Sequence, residues 1–180
     1  MIESARKNLE SMGIIDQFEL VCADVFDENF QLPEKVDCVV LSYTLTTFIN
    51  SFEMLEKILT QCRKQVKDSG YMFVADFSWG PMPKDGFWGG MYTAHPDEPV
   101  GPKEFETFEF FIDKAPEEAF QIFQIPHYLM FKAGYAAGFR HIEYKPQYPD
   151  PELKDDPVIR RYIDECNPAD YLMKFKFMNP

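Results

Sequence analysis

The side chains with chemical potential in this sequence sit at the ends of apolar runs. Asp24 closes the run Phe18-Glu19-Leu20-Val21-Cys22-Ala23. A carboxylate at the carboxyl end of a strand lies where open α/β sheets hold their ligands, and it can equally cap a turn. Ser42 and Tyr43 close a second run, Val36 to Leu41, and offer two hydroxyls at the same kind of place. For Tyr43 the alternative is a core aromatic with its hydroxyl satisfied. His127, at the start of a helical stretch, is an imidazole that can act as a general base or cap the helix; His95 and His141 suggest no role. Phe87, Trp88, Tyr92, Phe105, Phe108, Phe110 and Phe111 supply aromatic surface that can line an apolar pocket or roof a sheet. No HxxxH or HExxH spacing occurs and no two cysteines form CxxC, so the sequence offers no metal site.

Charge narrows the partners. Thirty acidic against 18 basic side chains give a net charge of −12, which repels phosphate backbones and anionic lipid. Nucleic acid and membrane are therefore not expected as partners. No run reaches the roughly 18–20 apolar residues of a membrane span. The four cysteines are dispersed, three of them in apolar segments, as reduced and packed thiols of a cytoplasmic protein would be. With 46% apolar residues over 180 positions, the chain has material for one folded domain.

The elements that must position these residues can be read from periodicity. Ile2, Ala5, Leu9 and Met12 mark one face of a helix closed by Gly13. A strand is predicted over Phe18–Asp24. A second, over Val36–Ser42, is apolar on both faces and suits a central parallel strand covered on each side. Phe52 to Val66 has helical spacing, with Ser51 as N-cap and Gly70 as closing residue, and Tyr71–Asp76 is a third strand. Strand, helix, strand in this order predicts an α/β sheet. Residues 77–104 are rich in proline and glycine and read as an irregular insertion. Segments 105–112 and 118–125 suit a hairpin, and Pro126–Ala137 suits a helix ending at Gly138. Arg140–Lys145 and Tyr171–Phe177 read as strands, the last with one wetter face.

Together these segments resemble a class I, Rossmann-like S-adenosylmethionine-dependent methyltransferase of the small-molecule branch. Ile2 to Leu9 is similar to the family's helix after strand two, and Val21-Cys22-Ala23-Asp24-Val25 to the adenine-binding turn after strand three. Val36 to Tyr43 looks like strand four, and Arg63 to Val74 like the lysine, glycine and strand-five signature. Ala133 to Phe139 and the two strands after it look like helix E, strand six and strand seven. The resemblance implies a mostly parallel sheet with an antiparallel last strand inserted between the fifth and sixth. It also implies one domain over residues 1–180, with 77–125 as a cap or substrate insertion.

The implied cofactor is S-adenosylmethionine and the implied reaction is methyl transfer to a small molecule. Asp24 would accept from the adenine amine, the Val25 N–H would reach a ring nitrogen, and Phe26 would pack on the ring. Ser42 and Tyr43 would flank the methionine end. Phe87, Trp88 and Tyr92 would line the acceptor, and His127 would be the base if one is needed. Asn167-Pro168-Ala169-Asp170 resembles an amino-methylating motif only superficially, standing before the last strand instead of after strand four.

The family's glycine-rich loop and its ribose-binding acid have no counterpart, as if the N-terminal β-α-β segment were missing. The chain is therefore expected to be a piece of a longer enzyme. Losing two contacts to ribose would remove roughly 3–6 kcal/mol, about a hundred to ten thousand in affinity. The alternative expectation is a non-catalytic relative acting by association, as an oligomer or with a partner, through the edge of strand 36–42.

Overall fold

The computed structural model describes residues 2–77, 87–88, 91–93, 104–112, 115–147, 150–153, 155–165 and 170–176. In chain order the elements are α1 (Ile2–Ser11), a 3₁₀ turn (Ile15–Gln17), β1 (Val36–Ser42), α2 (Leu45–Phe48), α3 (Phe52–Gln65), β2 (Val66–Phe77), β3 (Phe87–Trp88) and β4 (Met91–Thr93). There follow β5 (Thr107–Ile112), β6 (Ala115–Phe123), α4 (His127–Ala136), β7 (His141–Gln147), a second 3₁₀ turn (Pro151–Leu153), α5 (Pro157–Glu165) and β8 (Asp170–Lys176). The chain divides into two compact units, Met1–Gln31 and Leu32–Pro180.

In the first unit α1 forms as its spacing predicts and closes with Gly13 N–H donating to Glu10 O and Ile14 N–H to Leu9 O. The strand predicted over Phe18–Asp24 does not form. Extended backbone becomes a strand only beside a neighbour that shares its N–H and C=O ladder, and among the described residues none pairs with it. Phe18 and Val21 are exposed accordingly.

The second unit is built on a four-stranded sheet in the order β1-β2-β8-β7. β1 and β2 are parallel, while β8 runs antiparallel to both β2 and β7. Three strands therefore point one way and the last strand, inserted between two of them, points back. The inward residues alternate along each strand: Met72 and Val74 on β2, and Tyr171, Met173 and Phe175 on β8, none more than 1% exposed. Leu55, Ile58 and Leu59 of α3 and Leu129, Met130 and Ala133 of α4 complete this core. Each such side chain contributes about 1.5–3 kcal/mol by leaving water. Ser51 caps α3 as predicted, its Oγ accepting from Met54 N–H at 3.3 Å. Phe139 N–H donates to Gly134 O and Gly138 N–H to Tyr135 O, closing α4 at Gly138 as predicted.

Two expectations change here. Gly70 does not close α3; it lies within β2, where a Cβ would stand 2.6 Å from Asp37 O of β1. Its small size lets the two strands approach. β1 is also not covered on both faces, since Val40 is 62% exposed; among the described residues it stands at the end of the sheet, as expected for a chain without the N-terminal strands.

The predicted hairpin forms as β5 and β6, which extend β3 and β4 into a second, antiparallel sheet in the order β3-β4-β5-β6. β6 packs against α2. α5 lies in the stretch read only as acidic and proline-rich. Its start follows from Asp156, whose Oδ1 accepts from Val158 and Ile159 N–H, and from Pro157 at the first helical position. Of the cysteines, Cys22 is exposed and not packed as expected, Cys38 and Cys62 are half-buried, and Cys166 lies outside the described residues. Burial pushes the Cys62 thiol up to about 11.

Candidate functional site

Ser42 and Tyr43 stand where the sequence places them, at the carboxyl end of β1. The chain must turn here from β1 into α2, and Tyr43 makes the turn with φ +49, a left-handed conformation that costs a non-glycine residue roughly 1–2 kcal/mol. Its N–H donates to Ala75 O of β2 at 2.7 Å, and its half-exposed ring meets Phe77 with centroids 5.0 Å apart. Thr44 Oγ1 donates to Ser42 O at 2.9 Å.

Between Ala75 and Phe77 lies Asp76, fully buried. Its Oδ2 accepts from the N–H groups of Leu45 (3.0 Å) and Thr46 (3.2 Å), and its Oδ1 from the Thr46 hydroxyl (2.5 Å) and its neighbour's Phe77 N–H (2.9 Å). Burial raises its pKa above the ordinary carboxylate value, and the Thr46 hydroxyl with the three N–H groups opposes that rise. Sequence reading missed this residue. The signal was present, since Val74-Ala75-Asp76 ends a strand in the same Ala-Asp pair as Cys22-Ala23-Asp24, but its partners lie some thirty residues back in the chain.

Across the sheet Asp76 is registered opposite Tyr171 of β8. The Tyr171 ring meets His127 edge-on at 4.7 Å, and His127 lies at 4.7 Å from Tyr144 of β7. The structure thus brings His127 to the same end of the sheet as Ser42 and Tyr43. His127 Nε2 is buried with no hydrogen-bond partner among the described residues, and burial lowers the imidazole pKa, favouring the neutral ring. Burial first, then the Asp76 carboxylate and Tyr144, keep the Tyr171 phenol protonated.

Asp24, Val25 and Phe26 belong to the first unit. Asp24 is exposed, and its Oδ1 accepts from Phe26 N–H at 2.8 Å in a local turn whose next residue, Val25, is also exposed. An acceptor beside a backbone donor is the donor set that an aminopurine edge requires, so the chemistry of this turn fits an adenine ring. Phe87, Trp88 and Tyr92 fall on β3 and β4, Phe87 registered with Tyr92; their side chains lie outside the described residues. Phe110 is buried against Phe120 in the hairpin interior. Glu104 is tied to α4 where the Tyr128 hydroxyl donates to its carboxylate. Among the described residues no group of three or more His, Cys, Asp or Glu side chains converges to hold a metal, and no helix is long and apolar enough to cross a membrane.

No family model and no curated protein matches this sequence. Solved structures match by shape. A S-adenosylmethionine-dependent methyltransferase from Clostridium acetobutylicum aligns with a TM-score of 0.63 at 12% identity, over 99% of this chain and 71% of that one. DesVI of Streptomyces venezuelae aligns at 0.56 and 16% identity, over 94% and 67% of the two chains. The mitomycin 7-O-methyltransferase MmcR aligns at 0.57 and 14% identity, over 97% of this chain and 39% of its own length. The strand order, the reversed inserted strand and these alignments agree: this chain has the Rossmann-like fold of the class I S-adenosylmethionine-dependent methyltransferases.

Proposed function

We propose that the chain serves S-adenosylmethionine-dependent methyl transfer to a small molecule. The observation that carries this is the strained Tyr43 turn, clasped by β2 at the carboxyl ends of β1 and β2, where sheets of this fold hold their ligands. Bound there, S-adenosylmethionine would supply an electrophilic methyl group on a sulfonium, leaving the protein to orient the reactants and exclude water. Ser42 and Tyr43 flank the methionine end. The Asp24-Val25-Phe26 turn of the first unit offers, by its own chemistry, an acceptor, a backbone donor and a ring suited to an adenine. Phe87, Trp88 and Tyr92, in the insertion spanning 77–125, line the acceptor, and His127 Nε2 holds the proton when the acceptor must lose one. That the MmcR match is an O-methyltransferase supports an oxygen acceptor.

Calorimetry with S-adenosylhomocysteine tests this. Saturable heat at micromolar to millimolar ligand supports it, and no heat at millimolar ligand overturns it for this chain. A second function is favoured by one observation: β1 ends its sheet with Val40 exposed, as a strand used for association would. Sedimentation as a monomer at high concentration would exclude it.

A further inference from the structure

We infer that Asp76 is the positioning residue of this site, its buried carboxylate fixing the β1–α2 turn that carries Tyr43 and so setting the affinity for the methionine end of the cofactor. The inference rests on the function proposed above. Three successive residues of β2 grip the turn. Ala75 O takes the Tyr43 N–H, the Asp76 carboxylate takes Leu45 N–H, Thr46 N–H and the Thr46 hydroxyl, and the Phe77 ring packs on the Tyr43 ring.

Burying an acid is costly and none of these four bonds is to a cation, so the carboxylate is held in place by the donors it accepts from. What the carboxylate does that an apolar residue cannot is accept three donors from one short turn at once. A residue held at φ +49 without being glycine persists only where its surroundings over-determine it. Here those surroundings converge on residues 75–77. Asp76 touches neither cofactor nor acceptor in this arrangement; it acts through Tyr43.

The test pairs amide hydrogen exchange with calorimetry on Asp76→Asn, Thr46→Val and Thr46→Ser, with S-adenosylhomocysteine as probe. In Asp76→Asn an amide group faces the turn's donors, so the amides of Tyr43, Leu45 and Thr46 should exchange at least tenfold faster while Val74 keeps its protection. Affinity for the probe should fall about tenfold, the equivalent of one good hydrogen bond. Thr46→Val, which removes one donor and leaves the acid, should show a smaller loss of the same kind, and Thr46→Ser should restore both readouts. If Asp76→Asn does not fold, the Thr46 pair carries the test alone. A folded Asp76→Asn, or Thr46→Val, with unchanged affinity overturns the inference, as does an affinity loss with no local change in exchange. No heat from the unsubstituted chain overturns the cofactor assignment and this role with it. Heat from that chain together with an indifferent Asp76→Asn overturns this role alone.

Discussion

Two aspartates of this chain end similar segments, Cys22-Ala23-Asp24 and Val74-Ala75-Asp76, and fold into opposite circumstances. Asp24 is exposed, and its carboxylate accepts locally, from the N–H two residues on. Asp76 is fully buried and takes four, three of them from residues 45 and 46. The difference comes from neighbours: β2 is flanked by β1 and β8, whereas no strand pairs with residues 18–24 among those described. A carboxylate carried on a paired strand is desolvated and must be fully bonded. One on an unpaired segment stays in water and keeps acceptor capacity for a ligand.

The largest expected consequence is in stability. Asp76→Ala leaves buried donors of the turn without an acceptor and should cost about 3 kcal/mol in urea unfolding, while Asp24→Ala should stay within about 0.5 kcal/mol. Equal losses would break the contrast. Ligand affinity should invert it: Asp24→Ala, although stable, should weaken S-adenosylhomocysteine binding about tenfold, the loss of one charged hydrogen bond. Unchanged affinity would remove Asp24 from the site.

Acid should separate the buried groups further. The folded-state pKa of His127 is lowered by burial, so between that value and about 6.5 the unfolded chain binds more protons, and stability falls as pH drops through the window. The folded-state pKa of Asp76 is raised, so just above the ordinary carboxylate value the folded chain binds the extra proton, and there its contribution falls as pH rises. His127→Phe should flatten the first slope and Asp76→Asn the second, read from unfolding free energy against pH. A small effect is also expected at Tyr43→Gly. Relief of the φ +49 strain and loss of the Phe77 contact nearly cancel, leaving stability within about 1 kcal/mol on the same urea assay.

Most of the second unit was legible in the sequence because its signals are local. β1 has its predicted limits, Ser51 caps α3, the hairpin pairs, and β8 alternates buried Tyr171, Met173 and Phe175 against Leu172, Lys174 and Lys176. What failed depends on partners distant in the chain. Phe18–Asp24 has strand composition but no pairing strand among the described residues, Gly70 looks like a cap yet answers to Asp37, and Asp76 looks like a strand end yet serves residues 45 and 46. The positions of the candidate residues Ser42, Tyr43 and His127 were read from strand and helix ends. The residue that holds the Tyr43 turn was not, because nothing within ten positions of Asp76 announces its turn-side partners. α5 is a different kind of miss: Asp156 and Pro157 were a readable start signal, obscured by a proline-rich surrounding.

The placement of β8 also bears on how the molecule assembles. β7 is made first, yet its strand partner among the described residues is β8, which must enter between β7 and a β2 formed about a hundred residues earlier. Until residues 170–176 arrive, Gly134 of α4 lacks the Phe175 ring it packs on, and Asp76 lacks Tyr171 opposite it. Closure of this sheet is therefore a late, long-range event, the kind that slows folding. Insertion of this one strand places Tyr171 opposite Asp76 and against His127, so the core and the surroundings of the candidate site depend on the same late pairing.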